Sequence, residues 1–250
     1  MVYVGLMAEE SVMVTSVPGD HDAPLSEHLK ELRNRMFVVL VALFGLMMVS
    51  YPFSENALTL IWDNFIPQNV GMFVYSPLEW VLAKLKLSLV FSIAFVFPLF
   101  LYEIFKFASS GMYSHERKFF IKIVPASFLL FILGASIAYY LVLPFMFEYV
   151  IFYSSDVAAS QISVQSVLSA VTTLVLGFGL IFQLPLVIVL AIKMGIVKYE
   201  TLKKQRIVVY TTVLSLSIFI SPDPTFISQM IAAIVLVVLF ELGLAVARLL

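Results

Sequence analysis

The 250-residue sequence has no cysteine and unusually little charge. Lys, Arg, Asp and Glu together make up 12% of it, whereas a soluble domain usually carries about 25%. The lack of cysteine excludes a disulfide framework and a thiolate metal site. The 15 basic and 16 acidic residues nearly cancel, so the chain lacks the basic excess of a nucleic-acid-binding protein.

Apolar residues dominate what is present. They form 62% of the chain, and the mean hydropathy is +1.04. One soluble core of this size could not shield them from water, so we interpret the chain as a membrane protein. The first residues contain Glu9 and Glu10 but no Lys or Arg, which is atypical of a cleaved signal peptide. We predict a disordered cytoplasmic tail over 1–23 and a single transmembrane domain over 24–250.

Six apolar runs follow the tail and predict an all-α, six-span bundle. Their limits are Met36–Phe53, Leu85–Phe107, Phe119–Leu143, Val167–Met194, Ile207–Ile220 and Ile227–Val246. The fifth run has only about 14 residues, fewer than the roughly 20 that an ordinary bilayer requires. We therefore expect a short fifth span. A polar segment, Pro144–Ser166, is expected to separate the third and fourth spans.

The basic residues are distributed very unevenly about these runs. Thirteen of the 15 lie in connections on one side, and only Lys84 and Lys86 lie on the other. Because Lys and Arg accumulate on the cytoplasmic side of membrane proteins, we expect a multi-pass protein of the cell membrane with both termini in the cytoplasm.

Two carboxylates interrupt this basic side, each at the mouth of a span. Glu31 precedes the first span and Glu116 precedes the third. One interpretation is a solvated surface in which Glu31 pairs with Arg35 at i,i+4. The other is recognition of a cationic partner, since a shielded carboxylate–guanidinium bond contributes about 1.5–3 kcal/mol. A metal site formed with His28 and His115 matches known ligand spacings only weakly.

Polar residues within or beside the later runs form a second group of candidates. Gln183 lies deep in the fourth run, where an amide needs partners, so we expect it to face either another helix or a water-lined concavity. Pro185 should kink that helix. Asp223 and Gln229 belong to an outer turn before the last run, and Glu241 near its end needs a partner or a route to the surface.

Ordered motifs make the sequence similar to the TatC family, the receptor subunit of the twin-arginine protein translocase. They are His28-Leu29-x-Glu31-Leu32-Arg33-x-Arg35, Pro98-x-x-x-Tyr102, His115-Glu116-Arg117, Ala138-Tyr139 with Pro144, Phe182-x-x-Pro185, Pro222-Asp223 with Ser228-Gln229, and Phe240-Glu241-x-Gly243. One departure affects the chemistry. The family usually has glutamate where Gln183 stands, and an amide side chain neither carries a charge nor titrates.

The resemblance implies a cupped six-span bundle that binds twin-arginine signal peptides of folded cargo and uses the proton-motive force. Glu31 and Glu116 would hold the paired arginines, with Arg33 in support and Leu32, His28 and Arg35 in the same site. Gln183, Pro185, Asp223, Gln229 and Glu241 would contact a partner or the hydrophobic part of the signal. The implied partners are TatA/TatB-type single-span proteins; no metal, cofactor or enzymatic activity is implied. We also expect contact with membrane lipid and keep a homo-oligomer open, because the sequence does not fix the oligomeric state.

Two other function classes make different predictions. A secondary transporter for a small solute would place polar or charged groups near the membrane midplane on several helices, and Gln183 alone lies clearly that deep. An intramembrane enzyme would need a nucleophile and a base, or metal ligands, within its spans, yet all three histidines lie outside the apolar runs.

Overall fold

A computed structural model describes residues 25–67, 72–108, 114–155, 163–220 and 226–249. The tail predicted over 1–23 lies outside them. The described part is helical, without a strand; its one β-bridge joins Phe73 and Ser163. The α-helices are α1 Leu25–Ser50, α2 Ser54–Phe65, α3 Pro77–Ala108, α4 Ser114–Ile137, α5 Leu143–Ser155, α6 Val164–Ile181, α7 Leu184–Lys193, α8 Tyr199–Lys204, α9 Arg206–Ile220 and α10 Phe226–Leu249.

Within the described residues, five helical segments are long and apolar enough to cross a membrane. They are Ser26–Phe65, Pro77–Phe107, Ile123–Tyr149, Val164–Lys193 and Gln229–Leu249. The predicted fifth run forms α9, a helix of 15 residues, which at about 1.5 Å per residue is only about 22 Å long. The all-helical class is confirmed, whereas the count of six spans, the cup and the orientation stay predictions.

The sequence suggested that the third run ends at Leu143, but helical structure continues beyond this residue. A π-helical turn over Ala138–Val142 follows α4, and α5 continues from Leu143 to Ser155. A π turn shifts the hydrogen-bond register, and Pro144 then occupies the first turn of α5, where a missing N–H is tolerated. The expected polar connection therefore begins as a helix.

Two further features concern helix boundaries. Helix α1 is continuous from the basic segment into the first apolar run. The fourth run, in contrast, divides: α6 ends at Ile181 and α7 begins at Leu184 with Pro185 in its first turn. The missing proline N–H ends the ladder of α6 hydrogen bonds there, so the chain has a break between two helices where the sequence predicted a kink.

Two apolar clusters hold the helices together. The larger one joins α2, α3, the π turn, α5, α6 and α10 around residues such as Leu58, Leu168 and Phe178. The smaller one joins α7 to α10 through Ile188, Phe240 and Leu244, with side chains of α8 and α9 against it. Close helix contact also relies on glycine, as at Gly134, where a Cβ would lie 2.5 Å from the carbonyl oxygen of Phe178.

Candidate functional site: carboxylates and a guanidinium at the basic end

Arg35 is held between two carboxylates from different helices. Its Nη1 donates to Glu103 Oε2 over 2.9 Å, and its Nε donates to Glu31 Oε1 over 3.0 Å. Its Nη2 donates to the same oxygen of Glu31. The i,i+4 pairing of Glu31 with Arg35 is confirmed, and Glu103 adds a bond between α1 and α3.

The antiparallel packing of α1 and α3 creates this site. At one end the His28 ring meets the edge of Phe107, with centroids 6.2 Å apart. At the other end Ser50 Oγ donates to the carbonyl of Ser88. The start of α1 therefore lies beside the end of α3, and the Arg35 cluster lies near the basic end of both helices.

Burial differs among the three charged groups. The side chains of Arg35 and Glu103 are 16% and 12% exposed, whereas Glu31 is 36% exposed. The cluster holds two negative charges and one positive charge. Both bonds from Arg35 to Glu31 end on Oε1, so Oε2 keeps its capacity to accept from an incoming donor. The arrangement can therefore bind a further cation without displacing Arg35.

The other residues predicted for the arginine site lie at the same end of the bundle. His28 and Arg33 are exposed on α1, and Leu32 is half-buried. Glu116 lies in the first turn of α4, and its side chain is outside the described residues. Five residues connect α3 to α4, a reach of about 20 Å at most, so the backbone brings the start of α4 to the end of α3 that carries Glu103.

Glu103 was not predicted as a site residue because the sequence placed it inside the second apolar run. A usable signal was nevertheless present. A carboxylate within an apolar helix needs a partner. Glu103 has one in Arg35, as Glu241 has one in Arg206.

Gln183 is 8% exposed and links α4 to the junction of α6 and α7. Its Oε1 accepts a hydrogen bond from Ser127 Oγ. Its Nε2 donates to the carbonyl oxygens of Ser127, at 3.1 Å, and Gly179, at 3.3 Å. The geometry matches the interhelical interpretation of Gln183, because both ends of the amide are occupied within the protein.

The remaining candidates are spread over the later helices. Pro185 is buried against α10, where a Cβ on Gly243 would lie 2.9 Å from its Cα. Gln229 is half-buried in the first turn of α10, and Asp223 lies outside the described residues. Glu241 has the partners that the sequence required: it accepts from Arg206 Nη2 over 3.0 Å and from Tyr210 Oη over 2.5 Å.

The buried polar side chains bear on the rival functions. In the part of the chain that the structure describes, they are Ser54, Ser88, Ser92, Ser127, Thr172 and Gln183. None of these carries a charge, and the hydroxyls bond to nearby groups of the bundle, as Ser92 Oγ does to the carbonyl of Ser88. Among the described residues no group of three or more His, Cys, Asp or Glu is arranged to hold a metal ion. The transporter interpretation is not favoured.

Comparison with known proteins agrees with this architecture. Residues 27–234 match the family model "Sec-independent protein translocase protein (TatC)". The TatC protein of Methanocella arvoryzae is 43% identical over 97% of this chain and 99% of its own length. That of Desulforapulum autotrophicum is 30% identical over 92% and 86%.

Two crystal structures of a twin-arginine translocase receptor, TatC, are similar in fold. One superimposes with a TM-score of 0.76 at 29% identity, covering 89% of this chain and 98% of the other. The second, determined in the detergent DDM, gives 0.78 at 28% identity over 88% and 99%. The chain therefore belongs to the TatC family of Sec-independent protein translocase proteins.

Proposed function

We propose that this protein is the signal-peptide receptor and core subunit of a twin-arginine translocase that exports folded proteins. The observation that carries the proposal is the Arg35 guanidinium held between Glu31 and Glu103, with one oxygen of Glu31 still able to accept. The basic end of the bundle thus already forms the type of bond that a signal arginine would need. Family membership supports the same function.

In this proposal Glu31 and Glu116 each receive one arginine of the signal. The cluster of Glu31, Arg35 and Glu103 carries a net charge of −1, so it attracts a cation. Arg35 acts as a positioning residue: it holds Glu31 through Oε1 and leaves Oε2 able to accept from a ligand. Leu32, half-buried one residue on, would face the apolar residues that follow the paired arginines, while His28 and Arg33 would line the approach.

The topology we propose has six spans with both termini in the cytoplasm. The 15-residue α9 would cross only where the bilayer is thinned. TatA/TatB-type single-span proteins would dock near Pro185, Asp223, Gln229 and Glu241 and use the proton-motive force for passage of the cargo. Gln183 would hold together the helices beneath this surface, since its amide hydrogen bonds join α4 to α6.

Binding of a fluorescent twin-arginine signal peptide to the full chain in lipid nanodiscs tests the receptor assignment. Glu31→Gln and Glu116→Gln should each weaken binding by about 10- to 150-fold, the equivalent of one charge-assisted bond of about 1.5–3 kcal/mol. Glu27→Gln is the matched control, because Glu27 lies one turn before Glu31 on α1 and is exposed. If Glu31→Gln and Glu116→Gln bind the peptide as tightly as the parent protein and the control do, these carboxylates do not bind the signal arginines.

The variant Arg35→Gln distinguishes two roles of Arg35: positioning Glu31 for the signal peptide, or blocking the peptide from Glu31. If Arg35 orients Glu31, its removal lowers affinity and Arg35→Lys recovers only part of it, because lysine lacks the fork geometry. An increase in affinity would mean that Arg35 competes with the signal. The melting temperature of each variant shows whether the fold has been retained.

A further inference from the structure

A cleft of about 440 Å³ lies at the basic end of the bundle, away from the Arg35 cluster. The last turns of α10 and the corner between α8 and α9 form its walls. Its lining residues are Tyr199, Arg206, Glu241, Leu244, Ala245, Arg248 and Leu249. Two guanidinium groups therefore share one small cleft with a single carboxylate.

The charges in this cleft do not cancel. Glu241 is already engaged, since it accepts from Arg206 Nη2 and from Tyr210 Oη. Arg248 is exposed and forms an ion pair with no carboxylate among the described residues. On α8 the side chains of Lys203 and Lys204 are also exposed, and the exposed Glu200 offsets one of these charges. The cleft therefore has a net positive charge and the character of an anion site.

Arg206 has unmet hydrogen-bonding capacity. Its Nε–H is buried and has no acceptor, although one Nη group is bound to Glu241. A buried donor without an acceptor is destabilising. An anion that bridges Arg206 and Arg248 would draw the guanidinium toward the cleft and supply acceptor oxygens to it.

The walls of the cleft are suited to hydrocarbon next to the anion. Among its lining residues Leu244 is buried, whereas Leu249 is 85% exposed. Both belong to α10, whose segment Gln229–Leu249 is apolar enough to span a membrane. If α10 crosses the bilayer, its end and the cleft would lie at the lipid headgroups, and arginines at such a position attract anionic lipid.

We propose that this cleft binds the phosphate headgroup of an anionic phospholipid, with Arg206 and Arg248 as phosphate ligands and an acyl chain along Leu244 and Leu249. Guanidinium groups suit phosphate because their planar fork donates two parallel bonds. The apolar wall favours a lipid over free phosphate, because a lipid would cover Leu249 with its acyl chain and free phosphate would not.

Native mass spectrometry of the full chain in a neutral detergent tests the site. Dioleoyl phosphatidylglycerol should bind at least tenfold more tightly than dioleoyl phosphatidylcholine. Arg248→Gln should weaken the binding of phosphatidylglycerol at least tenfold. Lys30→Gln is the matched control: it removes one exposed basic charge from α1, and a diffuse surface attraction would change affinity by roughly fivefold or less.

Three results would overturn the proposal. They are equal binding of the two lipids, equal losses in Arg248→Gln and Lys30→Gln, and displacement of phosphatidylglycerol by millimolar inorganic phosphate, which would assign the site to free phosphate. Arg206→Gln should behave like Arg248→Gln. Should the loss of the bond to Glu241 prevent folding of that variant, the exposed Arg248 still decides the question.

Discussion

The ion pair between Arg35 and Glu103 should stabilise the packing of α1 on α3 by a measurable coupling energy. A double-mutant cycle with Arg35→Met, Glu103→Gln and the double variant isolates this energy. Glu31 stays in place in all four proteins. It therefore keeps its own bonds to Arg35 wherever the arginine remains, and the cycle reports the contact between the helices.

The magnitude follows from burial. Charges about 4 Å apart attract by about 4 kcal/mol at an effective dielectric constant near 20, and desolvation offsets much of this. Exposed pairs retain about 0–1 kcal/mol. Because Arg35 and Glu103 are only 16% and 12% exposed, we expect a coupling of about 1.5–2 kcal/mol, near the upper limit measured for side-chain bonds within membranes.

Reversible unfolding in mixed micelles measures the four stabilities. The pair of Lys84 and Glu55 is the internal control, because its Nζ–Oε2 distance is 2.5 Å but Glu55 is 57% exposed. The same cycle there should give a coupling below about 1 kcal/mol. If the control pair couples as strongly as Arg35 and Glu103, burial does not set the strength of these bonds and the reasoning fails.

Three further predictions concern packing and local hydrogen bonds. Gly134→Ala should lower stability by about 1–3 kcal/mol, because the added Cβ would lie 2.5 Å from the carbonyl oxygen of Phe178. Gly45→Ala is the control and should leave stability unchanged, because a Cβ there would have nothing within 4 Å. Thermal melting in detergent compares the two variants. Gln183→Glu should be destabilising at neutral pH, measured in the same way, because a carboxylate would face two carbonyls that now accept from the amide. Glu79→Gln should speed amide hydrogen exchange at the start of α6, where the Glu79 carboxylate accepts a backbone N–H over 3.2 Å.

The sequence predicted the features that depend on local chemistry. Run length is enough to predict long apolar helices, and the short run Ile207–Ile220 became the short helix α9. Pro185 ended a helix because a missing N–H acts within one turn. The pairing of Glu31 with Arg35 followed from helical spacing alone.

Features that depend on distant contacts were missed or left open. Helix α5 passes through Pro144 because a π turn precedes it, and hydrophobicity does not report that change of register. Glu103 meets Arg35 across 68 residues of chain, so only the packing of α1 against α3 reveals the pair. The hydrogen bonds of Gln183 likewise depend on Ser127, which lies 56 residues away in the chain.

The two lysines that depart from the charge pattern are both engaged in the structure. Lys84 Nζ pairs with Glu55, and Lys86 Nζ donates to Ser169 Oγ over 2.7 Å. Each bond joins α3 to another helix at the end opposite the Arg35 cluster, which gives both lysines a structural reason to be there. A lysine held by such a bond is weak evidence against the orientation that the other 13 basic residues indicate. The contacts of Lys84 and Lys86 therefore strengthen the proposal that the Arg35 cluster faces the cytoplasm.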